Sequence, residues 1–261
     1  MNVLVSKIAL AVIFVLTVPL AIGSCGEKVS DIQSDPSFTA VSLRKGGVAN
    51  LGCTSVAAPE VDEIKISGRF SDPLNRAFYK HYPNTKVLTW GNVRKMIGDD
   101  NILAYLESVR TTRQLATVHL DSLAAAIGLD SQYLVIQRIE SDQLEFEKDE
   151  IKETDEFGNE KHTQDGLKTI RKINVYFGIY DLDRSELVWS ATVQREDSNY
   201  RKVRAGIDLD IDGILGLAVD VAEAIDEHTD PDKYKPFPKP PSQIEVMTLI
   251  YGEFAEHLPR D

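Results

Sequence analysis

The chain has 261 residues, a formal net charge of -12 at pH 7, and 16 Gly and 11 Pro. This length is sufficient for one well-buried core, or for one core with an appended element, and the composition is ordinary for a globular protein. The acidic balance argues against nucleic-acid binding, which needs a basic face to displace counterions. It also argues against electrostatic attachment to anionic lipid.

The first 24 residues have the pattern of an export signal. Lys7 supplies the positive start, and residues 8–20 form an apolar run that is shorter than the roughly 20 residues needed to span a bilayer. Small residues follow, and the string Ile22-Gly23-Ser24-Cys25 resembles the lipobox of bacterial lipoproteins. The resemblance implies removal of residues 1–24 and acylation of Cys25, which would then anchor the protein to a membrane. The alternative is an ordinary cleaved signal in which Cys25 is incidental.

The chain contains two cysteines in all. If Cys25 carries lipid, Cys53 has no partner and the fold has no internal disulfide. The neighbours of Cys53 in residues 48–56 are small or apolar, and none of them is a His, Lys or Arg that would activate a thiol. We therefore predict that Cys53 is a small buried residue of a strand, and a reactive thiol is the alternative.

The first half of the chain alternates between strand and helix patterns. Residues 25–44 are polar and are predicted to form a tether, followed by a single domain at residues 45–228. Phe70, Leu74 and Phe78 recur at helical spacing, with Ser71-Asp72-Pro73 as a candidate helix start. The predicted elements are strands at 48–56 and 86–89, one helix within 64–82, and helices at 91–97, from Asn101 onward, and at 115–127.

The second half has the pattern of an antiparallel meander. Ile173, Val175 and Phe177 alternate with more polar residues, as in a half-buried strand. Residues 145–164 are rich in Glu, Asp and Lys and are predicted to be the mobile tip of a long hairpin. The predicted elements are strands from Tyr133, at 169–182 and at 186–194, a helix at 208–225, and a C-terminal segment at 229–261 made of a proline-rich linker and a helix. This last helix packs on its own domain or lies in a groove of another protein.

The order of elements predicts an α/β (α+β) fold, with a mixed β-sheet covered by helices and ending in an antiparallel meander with a long hairpin. Three strings have a family pattern: the glycine-flanked strand at 47–53, the helix and strand at 124–139, and the hairpin at 175–191. They resemble bacterial lipoproteins with a domain of the TolB N-terminal, CsgG and LpoB type, over roughly residues 45–227. Leu129-Asp130 and Leu187-Val188-Trp189 match that pattern, whereas Gly128 and Ser131 depart from it. The resemblance implies a non-enzymatic domain that docks other envelope proteins.

One string matches part of a metal motif. Asp208, Asp210 and Asp212 have the spacing that opens a calcium loop, and Gly213 stands at its sharp turn. Position twelve is Val219, where the motif needs a bidentate Glu. The alternative is a set of acidic residues that are favourable at a helix N-terminus. Because the five histidines have no zinc-binding spacing, we predict no metal and no other cofactor.

The acidic hairpin tip is the candidate partner-binding site. Glu150, Glu153, Asp155 and Glu156 are predicted to dock a basic partner, and a solvated loop is the alternative. No phosphate loop, dinucleotide motif or nucleophile elbow occurs in the sequence, so no small-molecule substrate is indicated.

These features predict a lipid-anchored accessory or scaffolding protein of the cell envelope that binds another envelope protein and is not an enzyme. Among lipoproteins, Gly26 after Cys25 implies sorting to the outer membrane, on its periplasmic side or at the cell surface. One alternative is an envelope hydrolase with an unrecognised site, which a deep pocket with converging polar groups would favour. The other is an outer-membrane secretion pore subunit, because CsgG-type proteins insert hairpins. Arg171, Lys172 and Asn174 argue against it, since a lipid-facing band is apolar.

Overall fold

The computed structural model describes residues 27–58, 62–154, 160–202, 219–220 and 237–260. Within these ranges the chain forms strands and helices, in the order that follows. The strands are β1 Glu27–Ser34, β2 Val48–Ser55, β3 Val87–Leu88, β4 Tyr133–Thr154, β5 Glu160–Asp181, β6 Glu186–Lys202 and β7 Val219–Asp220. The helices are α1 Ala40–Gly46, α2 Glu63–His81, α3 Trp90–Ile97, α4 Asp99–Thr112, α5 Thr117–Ile127 and α6 Gln243–His257.

The described strands form one mixed sheet. Its order is β1-β6-β5-β4-β2-β3, and β7 also pairs with β4. β2, β3 and β4 are parallel, whereas β4, β5, β6 and β1 are antiparallel to their neighbours. This arrangement confirms the predicted fold class, because helices cover the parallel part and the chain ends its sheet in an antiparallel meander with a long hairpin.

α6 covers one face of the sheet together with α1 and α2. Phe254 lies at the centre of this layer, stacked on Phe177 of β5 with ring centroids 4.2 Å apart. Its ring also makes edge contacts with Phe78 at 5.8 Å and Trp189 at 5.3 Å. The last helix therefore packs on its own domain. Of the two alternatives left open for the last helix, the described residues 237–260 show the first.

The other face of the sheet is covered by α3, α4 and α5. Ile102, Val109 and Leu123 from these helices are fully buried against β2 and β4. The Tyr180 hydroxyl accepts a hydrogen bond of 3.0 Å from the backbone N–H of Leu115, between α4 and α5. Burial raises the pKa of Tyr180 to about 12. The hydroxyl therefore stays neutral and holds this loop on the sheet.

Cys53 is a buried residue of β2, as predicted, with none of its surface exposed. Just before it, Gly52 has a φ of +116°, and a side chain there would place its Cβ 2.6 Å from the Ser67 hydroxyl. That hydroxyl accepts from the Cys53 N–H at 2.9 Å and donates to the Cys53 carbonyl at 3.0 Å. A glycine is required here because a side chain would collide with Ser67 of α2. The Ser67 hydroxyl supplies the hydrogen bonds that the irregular strand lacks at this point.

Residues 27–44, predicted as part of a tether, belong to the fold instead. β1 pairs with β6 from Glu27 opposite Arg195 to Ser34 opposite Trp189. Phe38 is 3% exposed. The polar pattern concealed this strand because β1 is an edge strand, which needs few apolar side chains. The predicted domain boundary at residue 45 is therefore wrong.

A polar network fixes the end of β1. The Asp35 carboxylate accepts hydrogen bonds from the N–H and hydroxyl of Ser37, at 2.8 and 2.6 Å, and from Arg184 at 3.2 Å. These bonds, those of Ser37 first, lower the pKa of Asp35 to about 2. β1 is thus tied to the turn between β5 and β6, which carries Arg184.

The predicted start of α2 near Pro73 is also wrong. The helix begins at Glu63, where the Asp62 carboxylate accepts hydrogen bonds from the N–H groups of Ile64 and Lys65. Pro73 lies inside the helix, where it has no N–H to donate. Burial of the apolar face on both sides of Pro73 outweighs this loss.

The hairpin is longer than predicted. β4 continues to Thr154 and β5 begins at Glu160, so most of residues 145–164 are paired strand and not a loop. β6 likewise continues through the polar residues 195–202. Of the helix predicted at 208–225, only Val219 and Asp220 are described. These two residues form strand β7 against Leu144 and Gln143.

Candidate functional site

Three strands extend beyond the body of the sheet. β2 has its last pair at Ser55 opposite Ile139, and β1 has its first at Glu27 opposite Arg195. Beyond these points β4, β5 and β6 continue together, and we call their extension the arm, residues 143–154, 160–172 and 196–202. The 12 residues that β4 contributes would span about 40 Å when extended.

One face of the arm is braced by residues 237–241, which we call the proline strap. The ring of Phe237 lies 5.1 Å from the ring of Phe146. The Thr169 hydroxyl donates a hydrogen bond of 2.8 Å to the carbonyl of Pro238. Since a two-stranded hairpin alone is marginally stable in water, the third strand and the strap give the arm a fixed shape.

A buried ion pair holds the base of the arm. Arg171 Nε and Nη2 lie 2.8 and 2.6 Å from the two Asp142 carboxylate oxygens, and both side chains are at most 3% exposed. The Gln243 amide donates to the same carboxylate at 2.8 Å, and Arg171 Nη1 donates to the Pro241 carbonyl at 3.3 Å. This cluster joins the arm, the proline strap and the start of α6.

The opposite face of the arm is charged. Lys172 Nζ lies 2.6 Å from a Glu145 carboxylate oxygen and 3.8 Å from one of Glu196. Further out, Lys168 Nζ lies 3.8 Å from Glu147, which is 47% exposed. The hydrogen bond to Glu145 raises the pKa of Lys172, so the ammonium stays charged. These cross-strand pairs give the arm a polar, partly exposed surface.

The structure places the predicted partner-binding residues on the arm only in part. Glu150 and Glu153 lie in β4, with backbone opposite Asp165 and His162. Their side chains, and all of Asp155 and Glu156, lie outside the described residues.

The other predicted site residues also lie outside the described part of the chain. This applies to the lipidation residue Cys25 and to the candidate calcium ligands Asp208, Asp210 and Asp212. Among the residues that are described, no three His, Cys, Asp or Glu side chains are grouped so that they could hold a metal ion. In the same set, every helix is too short or too polar to cross a membrane.

A second polar site lies in the parallel part of the sheet. The chain leaves β2 through α2 on one face, and it reaches β4 from β3 through α3 to α5 on the other. β2 and β4 are neighbours, so the strand order reverses between them, and open α/β sheets bind ligands at the carboxyl ends of such strands. The switch-point cluster at this place consists of Thr54, Glu63, Arg110, Arg113, Arg138 and Glu140.

Glu63 is the central carboxylate of the switch-point cluster. The Thr54 hydroxyl donates a hydrogen bond of 2.5 Å to Glu63 Oε1, and Arg110 Nε lies 3.5 Å from the same oxygen. Its side chain is 14% exposed. Burial raises the pKa of Glu63, against the lowering effects of Thr54 and Arg110. A carboxyl that keeps its proton more readily is suited to general acid or base chemistry.

The other half of the switch-point cluster carries guanidinium groups. Glu140 Oε1 lies 2.9 Å from Arg113 Nε and 3.5 Å from Arg138 Nε. Arg113 ends α4 with a left-handed φ of 64°, and its guanidinium lies over the Tyr176 ring at 5.6 Å. Guanidinium groups of this kind can bind a carboxylate or phosphate.

Sequence reasoning missed the switch-point cluster because its residues come from four separate elements. Arg138 and Glu140 are two apart in β4, and Arg110 and Arg113 are three apart at the end of α4. Such spacings are common in solvated strands and helices. The strand order brings them together, and that order is not visible in any local motif.

An open cleft of about 460 Å³ lies at the opposite, amino end of the parallel strands. There, His81 Nε2 is 3.9 Å from a Glu256 oxygen, and burial lowers the pKa of His81. The cleft is lined by Arg44, Lys80, His81, Tyr82, Glu256 and Arg260. Because helix C-termini attract cations, α1, α2 and α6 account for basic residues at this end.

No family model and no curated protein matches this chain. Among solved structures, a PelC dodecamer from Paraburkholderia phytofirmans matches with 10% identity and a TM-score of 0.37, over 90% of this chain and 99% of that one. The hypothetical protein CT253 from Chlamydia trachomatis matches with 15% identity and a TM-score of 0.29, over 64% and 77%. Lipoprotein GNA1162 from Neisseria meningitidis matches with 9% identity and a TM-score of 0.30, over 62% and 88%. These values are too low to assign a family or a function, so the family predicted from the sequence stays a prediction.

Proposed function

We propose that this protein is a lipid-anchored accessory protein of the bacterial cell envelope, which binds a partner protein through its arm and catalyses no reaction. The anchor is Cys25, exposed by removal of an export signal, and the membrane is the outer membrane. The export pattern of residues 1–24 supports the anchor. The geometry of the arm supports the binding role.

The braced arm is the observation that carries this proposal. A solvated loop has no need of the buried ion pair between Asp142 and Arg171, nor of the proline strap along one face. Both features hold the arm in one shape. A preformed surface loses less conformational entropy on binding than a loop that must first be ordered.

The charge of the arm defines the chemistry of the partner. Residues 145–165 contain nine Asp or Glu and three Lys. We therefore expect a partner surface rich in Lys and Arg. Binding should weaken with added salt as the Debye length falls to roughly 8 Å at physiological ionic strength.

The anchor is tested by metabolic labelling with a fatty acid. We expect the wild-type protein to take up label and to sediment with membranes. The Cys25→Ala variant should stay folded, take up no label and leave the membrane fraction. A wild-type protein without label would refute the anchor.

Binding through the arm is tested by photocrosslinking from position 147, which is on the exposed face. We expect the double variant Glu150→Lys/Glu153→Lys to lose the crosslinked partner. The matched control is Asp100→Lys/Asp183→Lys, which changes the net charge equally at two exposed positions away from the arm. If both double variants capture the same partner equally well, the arm is not the binding surface.

The second candidate function is that of an envelope hydrolase with its site at the switch-point cluster, because burial raises the pKa of Glu63 there. Glu63→Gln should abolish a hydrolytic activity, because an amide cannot donate or accept the proton that a carboxyl transfers. Glu107→Gln, an exposed neighbour that also pairs with Arg110, is the control. A panel of ester, amide and glycoside substrates that yields no Glu63-dependent turnover argues against this function.

A further inference from the structure

β1, the strand that follows the anchor, begins about halfway along the length of the longest strands of the sheet. Glu27 lies opposite Arg195, which lies opposite Ile173, and Ile173 lies opposite Asp142. From this level, β4 runs back to Tyr133 over about 30 Å and forward to Thr154 over about 40 Å. Among the described strands, β1 is also the last one at its edge of the sheet. The anchored end of the fold is therefore at an edge, with protein extending in both directions along the strands.

The distance between the anchor and the fold is short. Cys25 is two residues before Glu27, and two residues span at most about 7 Å. Turning either end of the strands toward the bilayer would therefore push 30 to 40 Å of protein into it. The arm carries Glu145, Lys168 and Lys172 on its exposed face, and each charge is expensive to bury in hydrocarbon. The strands must then run along the membrane.

We infer that the anchored protein stands on its β1 edge, with the strands parallel to the lipid surface and the arm extending along that surface. This inference rests on the lipid anchor of the proposed function. It identifies the partner as a membrane-embedded protein that presents basic residues at the level of the lipid headgroups. Soluble proteins further from the membrane do not meet the arm in this orientation.

Energy transfer to the lipid surface tests the orientation. Since Cys53 is buried and Cys25 is acylated, one added cysteine can be labelled selectively in the full-length lipidated protein. The donor is placed by Ile32→Cys on β1, Tyr200→Cys on the arm or Met96→Cys on α3, all at positions at least 41% exposed. The acceptor is a headgroup-linked dye in phosphatidylcholine vesicles. We expect similar, high transfer from positions 32 and 200, and lower transfer from 96, near the opposite edge about 24 Å away.

The control inserts 20 Gly and Ser residues between Gly26 and Glu27, which adds a flexible span of about 25 Å. In the protein with the insertion, energy transfer from positions 32 and 200 should fall to the level that position 96 shows without it. If position 200 transfers no better than position 96 before the insertion, the orientation is wrong. Failure of the wild-type protein to float with vesicles would instead refute the anchor itself.

The class of partner is tested by the crosslink from position 147 in intact membranes. The membranes are washed with carbonate before irradiation, and a partner that is still crosslinked after this wash supports the inference. A partner that is crosslinked only in unwashed membranes overturns this part of it, and leaves the anchor and the binding role of the arm intact.

Discussion

The base of the arm depends on the buried Arg171, and replacing this residue should destabilise the protein strongly. Arg171→Met removes two charge-assisted hydrogen bonds to Asp142, of 2.8 and 2.6 Å, and one of 3.3 Å to the Pro241 carbonyl. The Asp142 carboxylate, which is 2% exposed, then keeps one hydrogen-bond donor among the described residues, the Gln243 amide. Breaking a buried pair in this way costs about 3–5 kcal/mol.

A double-variant cycle separates the pair from the packing around it. Asp142→Leu/Arg171→Met removes both charges, and its main penalty is the unpaired Gln243 amide, about 1–3 kcal/mol. The double variant should therefore be more stable than Arg171→Met alone. Urea denaturation gives the free energies of unfolding, and hydrogen exchange shows whether the arm opens first. Arg76→Met, at an exposed position of α2, is the control and should change stability by less than about 0.5 kcal/mol. A loss below about 1 kcal/mol for Arg171→Met would refute the reasoning.

Three further changes test other parts of the fold. Phe254→Ala removes a ring that contacts three aromatic neighbours, and it should lower the free energy of unfolding in urea by about 3–5 kcal/mol. Gly52→Ala places a Cβ 2.6 Å from a serine hydroxyl at a φ of +116°, so the Tm measured by circular dichroism should fall, with a loss of about 1–3 kcal/mol. Hydrogen bonds from Ser37 and Arg184 lower the pKa of Asp35 from 3.8 to about 2. The contribution of its carboxylate to the free energy of unfolding is therefore complete above pH 4 and is lost as the pH falls toward 2. The stability difference between wild type and Asp35→Asn, followed by denaturation from pH 6 to pH 2, should shrink over that range.

The central sheet was predictable because its strands bury apolar side chains on a regular period. Ile173, Val175 and Phe177 alternate, and all three are fully buried. Segments that owe their structure to pairing with a distant strand were missed. β1 is stabilised by β6, which is more than 150 residues away in sequence, and its own residues are mostly polar. Local propensity carries no information on such a partner.

The candidate sites, like the fold, have parts that the local sequence predicts and parts that depend on distant segments. A long hairpin was predictable from two strand patterns around an acidic run, and its length was underestimated because charged residues such as Glu147 and Lys168 lie in its paired strands. The bracing of the arm by residues 237–241 depends on packing between segments about 70 residues apart. The switch-point cluster depends on strand order. Neither the bracing nor the strand order can be predicted from a local sequence motif.

β1 and the base of the arm are linked through β6 and α6. Arg195, opposite Glu27, lies 3.6 Å from Glu253 of α6, while Gln243 at the start of the same helix bonds to Asp142. α6 is fixed in turn by the stacking of Phe254 on β5. The switch-point cluster takes Arg110 and Arg113 from α4 on the other face of the sheet, but its Glu63 comes from α2, which packs against α6 through Phe78 and Phe254. α6 therefore contacts β6 beside β1, the base of the arm and, through α2, the element that carries Glu63 of the switch-point cluster.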